Sequence, residues 1–353
     1  MTSPTPHQDQ TNPRARELGL AVGTLPPGPL NAVTDVPGVR VGHTTVRRPP
    51  DVHSGVTAVV PGEVSPYAPL PAGVFRGNGY GKLIGSTQIE ELGQIETPVL
   101  LTSTLSAFRA ADALVGWMLE RPECRRTLSL NPVVGECNDG RLSDIRSRPV
   151  GEAEVRAALD GARGGPVAEG CVGGGTGLGA LGFKAGMGTA SRRFALEGRT
   201  VTVGALVQAN FGGVLRVRGT PVTPADVGVR DGDGSGDGSG DAEIGSCVVV
   251  IATDAPLDAR QLGRVARRAV FALARTGAGY GHGSGDYGLA LATRRATGSP
   301  AADSSLDPLF EAVLDSTEEA VLNSLLAATT TTGVHGRTLH ALPAGPLLAR
   351  LGS

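Results

Sequence analysis

The residue pair with the clearest chemical potential is Gly245-Ser246. It follows an eleven-residue segment, 231–241, that contains only Asp, Gly and Ser, and it precedes the apolar run from Val248 to Ala252. A segment of that composition buries too little apolar area to offset its ordering entropy, so we expect a flexible exposed linker. The sequence therefore places Ser246 between a flexible tether and a buried strand.

This setting suits cleavage of the chain by its own serine. A glycine before the serine tolerates the strained backbone that brings a hydroxyl against its own carbonyl. An N-to-O acyl shift and hydrolysis would release Ser246 as a new N-terminus. Its α-amino group, with an ordinary pKa of about 7.7–8.0, can act as general base for the hydroxyl. Gly-Ser occurs seven times in the sequence, however, and spacing alone favours an ordinary strand residue after a linker.

The linker and the histidines offer little for a metal. Residues 231–241 are similar to calcium-binding repeats, but no glutamate closes a twelve-residue loop, so a bare linker is favoured. The six histidines include no HExxH motif and no pair at helical metal spacing, so no metal site is predicted. His282 lies close to Ser284, but a histidine in a glycine-rich loop is more often solvated. Lys184 is as consistent with the surface as with an active site.

Short apolar runs bounded by Gly or Pro predict buried strands. These runs are Gly55 to Val60, Pro98 to Leu101, Val201 to Val207, Val248 to Ala252 and Leu289 to Ala292. Residues 31–43 alternate apolar and turn residues, which predicts a strand and hairpin at the edge of the domain. We expect residues 1–16 to form a disordered tail and residues 17–353 to form a single α/β domain.

Helical periodicity appears between the strand runs. Ser106 to Leu119 is one predicted helix. Leu257 to Thr276 is another, with Asp258 and Gln261 at capping-box spacing and Gly277 at the C-terminal cap. Ser316 and Glu319 are taken as a second capping box, opening a helix that runs to about Ala328. Strands mixed with helices predict a layered α/β architecture.

The composition indicates which kinds of partner and which cellular compartment to expect. A formal net charge of −2 and an aromatic content of 3% give no reason to expect nucleic acid or an anionic membrane as a partner. The four cysteines are widely separated and form no CxxC pair, which favours reduced thiols. No signal peptide and no run of about 18 apolar residues is visible, so we expect a cytoplasmic protein.

Seven segments, in the same order over most of the chain, resemble the DmpA/BapA family of self-processing L-aminopeptidase/D-esterases, also known as β-aminopeptidyl peptidases. Residues 241–256 are similar to the self-cleavage region of that family. The other matching segments are residues 34–44, 134–140, 173–177, 182–186, 205–210 and 284–286. The resemblance implies an αββα sandwich, shared with the ornithine acetyltransferases, in which the Gly245-Ser246 bond is cleaved.

The resemblance also implies roles for individual residues. Ser246 corresponds to the nucleophile, and Asn210 to the asparagine whose amide stabilises the oxyanion. Without the resemblance, Asn210 would be taken as a turn residue. Ser284 and Asp286 correspond to the pair beside the amino group of the nucleophile. Glu136 corresponds to the acid that binds the α-ammonium group of the substrate.

Two positions depart from the pattern of some family members. Asn138 stands where some relatives carry a tyrosine that donates to the oxyanion, and Asp286 stands where some carry a glutamate. The glycines at 177, 179 and 182 formally fit a dinucleotide-binding motif. No acidic partner follows on a second strand, so we set that interpretation aside.

The implied activity is removal of N-terminal residues from small peptides, amides or esters, by tetramers of processed two-chain protomers that need no cofactor. Two alternatives remain open. An acyltransferase similar to the ornithine acetyltransferases would share the architecture, but those enzymes use a threonine nucleophile, and Ser246 is a serine. A binding protein of the same fold that never cleaves itself is the other alternative.

Overall fold

The apolar runs of the sequence form strands in the computed structural model, which describes residues 12–229, 245–295 and 298–352. In chain order the strands are β1 (Val39–Arg48), β2 (Val52–Pro61), β3 (Leu70–Gly79), β4 (Leu83–Ile84), β5 (Gln94–Ile95), β6 (Val99–Ser103), β7 (Val133–Cys137), β8 (Gly179–Ala180), β9 (Phe183–Lys184), β10 (Met187–Leu196), β11 (Arg199–Asn210), β12 (Leu215–Val217), β13 (Thr220–Val222), β14 (Ser246–Thr253), β15 (Gly285–Ala292), β16 (Thr331–Thr332) and β17 (Thr338–Leu339). The helices are α1 (Ser86–Leu92), α2 (Ala107–Leu119), α3 (Glu152–Asp160), α4 (Ala259–Arg275), α5 (Asp307–Leu326) and α6 (Ala344–Leu351).

The long strands belong to two sheets. The first sheet has the order β1-β2-β6-β7-β4, and the second has the order β10-β11-β14-β15-β3-β5. Strand β14 is central in the second sheet, where it pairs antiparallel with β11 and parallel with β15. Strands β1 and β2 form a hairpin, and β1 lies at the edge of the first sheet. The prediction for residues 31–43 is correct only in part, because a 3-10 helix occupies Val33–Asp35 and the strand begins at Val39. The five apolar runs lie on β2, β6, β11, β14 and β15, so those predicted strands are confirmed.

The two sheets stack face to face between two pairs of helices. Helices α2 and α3 cover the outer face of the first sheet, and α4 and α5 cover the outer face of the second. Between the sheets lies a buried apolar layer that includes Leu101, Leu206 and Val250. Because each sheet buries both faces, its strands are continuous apolar runs. The architecture is the expected αββα sandwich.

Helix α4 has, at both ends, the capping residues that its sequence predicts. The Asp258 side chain accepts a hydrogen bond from the Gln261 amide at 2.7 Å, and the Gln261 side chain accepts one from the Asp258 amide at 3.1 Å. Gly277, two residues beyond the helix, has a φ of +98°, a conformation that glycine adopts without strain. The helix crosses from β14 to β15, so its C-terminal end lies near the start of both strands.

The second predicted capping box is wrong. Helix α5 begins at Asp307, with a proline in its first turn, and both Ser316 and Glu319 lie inside it. The Glu319 carboxylate instead accepts a hydrogen bond from Arg192 at 2.7 Å, in an ion pair whose two side chains are fully buried. A serine and a glutamate three residues apart fit a cap locally, but the partner that fixes Glu319 comes from a distant strand.

The prediction of a disordered tail is also wrong for residues 12–16. Residues 12–16 pack against the domain: Ala15 is fully buried, and its amide donates to Asn323 Oδ1 at 3.0 Å. Arg14 pairs with Glu169 at 2.7 Å, which anchors the segment through a charge that composition alone does not predict. Residues 1–11, most of the predicted tail, and the predicted linker at 231–241 lie outside the described residues.

All four cysteines, Cys124, Cys137, Cys171 and Cys247, are buried free thiols, as their spacing predicts. Among the helices in the three described ranges, none is long and apolar enough to cross a membrane.

Candidate active site

Ser246 is the first residue of β14 and lies between two strand ends. Its neighbour on β11 is Asn210 and its neighbour on β15 is Gly285. The residue is only 5% exposed, and its hydroxyl donates to the carbonyl oxygen of Gly245 at 2.6 Å. The amide of Gly285 donates to the same carbonyl at 3.2 Å. The hydroxyl therefore lies against the carbonyl group of the peptide that joins it to Gly245, and a backbone donor polarises that group.

Gly245 occupies a position with little room for a side chain. A Cβ atom there would lie 3.2 Å from Phe211 Cα and 3.4 Å from Ser284 Oγ. The first of these distances is shorter than ordinary van der Waals contact with a backbone atom that cannot rotate away. Glycine thus lets the chain pass close to β11 and to Ser284 immediately before the serine.

Ser284 and Asp286 form a buried pair beside the same peptide. The Ser284 hydroxyl donates to Asp286 Oδ1 at 2.9 Å. Asp286 pairs with Cys247 across the parallel ladder, one residue beyond Ser246. The structure therefore brings together Ser246, Ser284 and Asp286, as the resemblance implies.

Asn210 is the last residue of β11, so the strand position is correct and the turn interpretation is not. Its Nδ2 donates to the carbonyl oxygen of Asn138 at 3.1 Å, and its Oδ1 accepts from the amide of Gly179 at 3.2 Å. Because nitrogen can only donate and oxygen can only accept here, the two bonds fix the orientation of the amide. The amide nitrogen carries a second proton that its bond to Asn138 does not use.

Glu136 enters the site from the other sheet. It lies on β7, which faces β14 across the interior, and it is 2% exposed. Its Oε1 accepts from the Lys82 amide at 2.8 Å, and the Thr104 hydroxyl donates to its Oε2. Burial raises the pKa of Glu136, and the bonds from Thr104 and Lys82 oppose that rise. A Cβ atom on Gly81 would lie 3.4 Å from this carboxylate and 3.1 Å from Gly285 Cα, so the carboxylate lies close to Gly285, the residue of β15 that pairs with Ser246.

The backbone of Asn138 contacts the side chain of Asn210. Its carbonyl oxygen accepts from the Asn210 amide, and its own side-chain oxygen accepts from the amide of Gly140 at 2.8 Å. The side chain is therefore used in a local turn, and the carbonyl orients the asparagine on the facing sheet. Neither of these two bonds uses the side-chain nitrogen of Asn138.

Sequence reasoning missed three residues that support the site: Lys82, Thr104 and Asp139. Asp139 is buried and accepts from the Ser103 hydroxyl at 2.7 Å. Burial raises the pKa of Asp139 to about 6, against hydrogen bonds from Ser54 and Ser103. Asp139 lies within the segment 134–140 that carries the resemblance, which is the one signal for it in the sequence. Nothing local in the sequence singles out Lys82 or Thr104.

The structure also places three other features that the sequence analysis considered. Lys184 is fully buried, and its Nζ donates to the carbonyl oxygen of Ala185 at 2.6 Å, so it is not a surface lysine. His282 is exposed, with its ring centre 6.2 Å from that of Tyr80. The glycines at 177–182 lead into and form the short β8–β9 hairpin rather than a loop that opens a helix. Among the described residues, no group of three or more His, Cys, Asp or Glu side chains could hold a metal ion.

This αββα sandwich, with a serine at the head of a central strand, has the arrangement of an N-terminal-nucleophile hydrolase fold. The sequence model of peptidase family S58 matches residues 31–339. The chain therefore belongs to peptidase family S58 and is a hydrolase of the peptidase class.

Individual relatives match this chain over nearly its whole length. The protein named beta-peptidyl aminopeptidase BapA from Sphingosinicella microcystinivorans is 39% identical over 369 residues, which cover 96% of this chain and 92% of that protein. The solved structure of the PH0078 protein from Pyrococcus horikoshii has a TM-score of 0.86 and 41% identity, covering 96% and 99% of the two chains. The L-aminopeptidase D-Ala-esterase/amidase from Ochrobactrum anthropi, described as a variant of the Ntn hydrolase fold, has a TM-score of 0.84 and 40% identity, covering 96% and 98%.

Proposed function

We propose that this protein is a serine aminopeptidase that cleaves its own Gly245-Ser246 bond and then uses Ser246 as an N-terminal nucleophile. The observation that carries the proposal is the position of the Ser246 hydroxyl, 2.6 Å from the carbonyl oxygen of Gly245. The same carbonyl accepts from the Gly285 amide, so it is polarised for attack. Membership of the peptidase family supports the same activity.

Self-cleavage begins when Ser246 Oγ attacks the carbonyl carbon of Gly245. The C–N bond then breaks, the acyl group moves to Oγ as an ester, and the nitrogen takes the proton that the hydroxyl loses. Water hydrolyses the ester, which restores the hydroxyl and leaves a carboxylate on Gly245. The products are chains of 245 and 108 residues, since 353 minus 245 is 108. Both stay in one domain because β14 is held between β11 and β15.

Peptide hydrolysis uses the amino group that cleavage releases. This group, with an ordinary pKa of about 7.7–8.0, accepts the Ser246 Oγ proton as the oxygen attacks the substrate carbonyl. The Asn210 amide donates to the oxyanion, and the amino group passes its proton to the departing amine. Water then attacks the acyl-enzyme, with the same amino group as base. The buried Ser284–Asp286 pair orients the amino group and stabilises its ammonium form.

Glu136 gives the enzyme its requirement for a free amino group. Its buried carboxylate would bind the α-ammonium of the substrate through a charge-assisted hydrogen bond. The substrates are therefore small peptides, amides or esters with a free N-terminus. The names of the relatives, a beta-peptidyl aminopeptidase and an L-aminopeptidase D-Ala-esterase/amidase, support tolerance of β- and D-residues.

The two alternatives have less support. The acyltransferase interpretation requires a threonine nucleophile, whereas a serine occupies position 246. The binding-protein interpretation requires an uncleaved chain and leaves the buried Ser284–Asp286 pair without a task. Family membership favours neither of them.

We further propose a cytoplasmic homotetramer of processed protomers. The four free, buried cysteines support a reducing compartment, where disulfides are rare. Light scattering coupled to size-exclusion chromatography tests the assembly, and a monomeric mass would refute it. Fractionation of the source cells tests the location.

Intact-mass spectrometry tests the proposed self-cleavage. Wild-type protein should give two chains that meet at Gly245-Ser246, whereas Ser246→Ala should give one chain of 35.8 kDa. Ser239→Ala, which alters another Gly-Ser pair just upstream, is the matched control and should be processed like the wild type. An intact wild-type chain, or processing in Ser246→Ala, would refute the proposal. Hydrolysis of aminoacyl amides by the processed protein then tests the aminopeptidase activity.

A further inference from the structure

Lys82 places a loosely held cation at the rim of the active site. Its Nζ lies 3.9 Å from Glu136 Oε1 and 3.4 Å from the carbonyl oxygen of Tyr80. The ammonium also lies 5.8 Å from the centre of the Tyr80 ring, which is exposed. The Lys82 side chain is 41% exposed, so its head is free to move while it stays close to Glu136.

The backbone below this side chain is firmly anchored. The Lys82 amide donates to Glu136 Oε1 at 2.8 Å, and the Tyr80 amide donates to the carbonyl oxygen of Ser284 at 3.2 Å. The base of the lysine stem is thus tied to the two parts of the proposed site, the ammonium-binding carboxylate and the Ser284 loop. A flexible four-carbon stem on a fixed base lets the ammonium change position while its base stays beside Glu136.

Binding of substrate would weaken the ion pair between Lys82 and Glu136. An aminopeptidase substrate brings its own ammonium group to Glu136, which then faces two cations. Like charges a few ångströms apart in a partly buried site repel each other. A substrate that also carries a carboxylate near its amino group would remove this conflict, because the carboxylate would pair with Lys82.

A dipeptide has the dimensions for both contacts. An extended chain spans about 3.3–3.6 Å per residue, so the two charged ends of a dipeptide are roughly 6–7 Å apart. In a longer peptide the carboxylate lies farther away, and in a C-terminal amide or ester it is missing. The dipeptide is the shortest peptide whose two charged ends match Glu136 and the neighbouring Lys82.

We propose that Lys82 forms a carboxylate subsite, which makes dipeptides with a free C-terminal carboxylate the preferred substrates of this enzyme. The inference rests on the proposed function, because it needs Glu136 to bind the substrate ammonium. Lys82 binds the far end of the substrate and takes no part in proton transfer. Its loss should therefore act on KM for the free acid more than on kcat.

The test compares each dipeptide with its own C-terminal amide. The probes are L-Ala-L-Ala, D-Ala-L-Ala and β-Ala-L-Ala with their amides, assayed with processed wild type, Lys82→Met and Lys82→Arg. The ratio of kcat/KM for the acid to that for the amide should fall at least about tenfold in Lys82→Met, mainly through KM. Lys82→Arg, which keeps a cation, should retain most of the ratio. Arg125→Met removes an exposed cation from the loop after α2 and should leave the ratio unchanged.

Each outcome decides a separate question. If Lys82→Met reduces acid and amide hydrolysis equally, Lys82 acts only through Glu136, and the carboxylate subsite is refuted. An unchanged ratio refutes it as well. If wild type cleaves no probe of either kind, the proposed function has failed, and this inference fails with it. Self-cleavage of each variant, read from its mass, shows that the variant has folded.

Discussion

The side-chain amide of Asn210 donates to the backbone carbonyl oxygen of Asn138, 3.1 Å away, and so connects the two sheets at the active site. Asn210 ends β11 of the second sheet, whereas Asn138 follows β7 of the first. The amide of Gly179 completes the arrangement by donating to Asn210 Oδ1 at 3.2 Å. The proposed oxyanion donor is thus oriented by the backbone of two other segments.

Asn210→Ala should lower kcat sharply in the processed enzyme. Loss of one preorganised oxyanion donor typically costs about 3–4 kcal/mol, or roughly 10²–10³ in kcat. Asn138→Ala is the control, because it removes a side chain bonded to Gly140 and keeps the carbonyl that orients Asn210. Its kcat should stay within about tenfold of wild type. Steady-state hydrolysis of an aminoacyl amide measures both, and equal losses would contradict the assigned roles.

Glu136→Gln should weaken binding of substrates with a free amino group. The amide retains an acceptor for the Lys82 amide but loses the charge, and a hydrogen bond to a charged group contributes about 1.5–3 kcal/mol. We therefore expect kcat/KM to fall roughly 10- to 100-fold, mostly through KM. Glu63→Gln, which changes an exposed glutamate, should have no such effect. Wild-type KM in Glu136→Gln would exclude the carboxylate as the ammonium site.

The same residue predicts a pH dependence. Burial raises the pKa of Glu136 above the usual range for glutamate. As pH falls, the carboxylate therefore takes up a proton, and KM should begin to rise at a pH above the ordinary glutamate pKa of about 4.3. A series of KM measurements from pH 4.5 to 8 checks this. The rise should vanish in Glu136→Gln, and its persistence there would assign it to another group.

Local patterns in the sequence predict much of this fold. The apolar runs predict the central strands, and the Asp258–Gln261 box predicts helix α4, because strand burial and caps depend on neighbouring residues. The resemblance adds Asn210, Ser284 and Asp286, which the structure gathers around Ser246. The sheet ladder explains why they meet, since Asn210 and Gly285 are the direct partners of Ser246.

What local patterns miss depends on contacts between distant segments. Thr104 and Lys82 reach Glu136 from two other parts of the chain, and no spacing rule connects them. The capping pattern at Ser316 and Glu319 misleads for a related reason: Glu319 is held by Arg192, which lies 127 positions earlier. A pattern of four residues cannot distinguish a helix start from a helix interior that binds a buried cation.

Gly245→Ala should slow self-cleavage at least about tenfold. The added methyl group would lie 3.2 Å from Phe211 Cα, so the chain must shift away from the position in which Ser246 Oγ lies against the Gly245 carbonyl. Gly263→Ala is the control, because a Cβ there meets nothing within 4 Å inside helix α4. It should process normally and gain about 0.5–1 kcal/mol in stability. A gel time course after expression measures processing, and equal rates in the two variants would show that Gly245 is not needed there.

Asp139→Asn should change how stability depends on pH. Burial raises the pKa of Asp139 in the folded protein to about 6, from 3.8. Because the folded pKa is the higher one, the folded state binds the proton more tightly, and stability is lost as pH rises from about 4 to 6. Asparagine lacks this titration, so the free energy of unfolding of Asp139→Asn relative to its parent should rise by up to about 3 kcal/mol between pH 4 and pH 7. Urea unfolding in the uncleaved Ser246→Ala background measures it, with exposed Asp112→Asn as control. A flat difference between Asp139→Asn and the parent would mean that Asp139 titrates alike in both states.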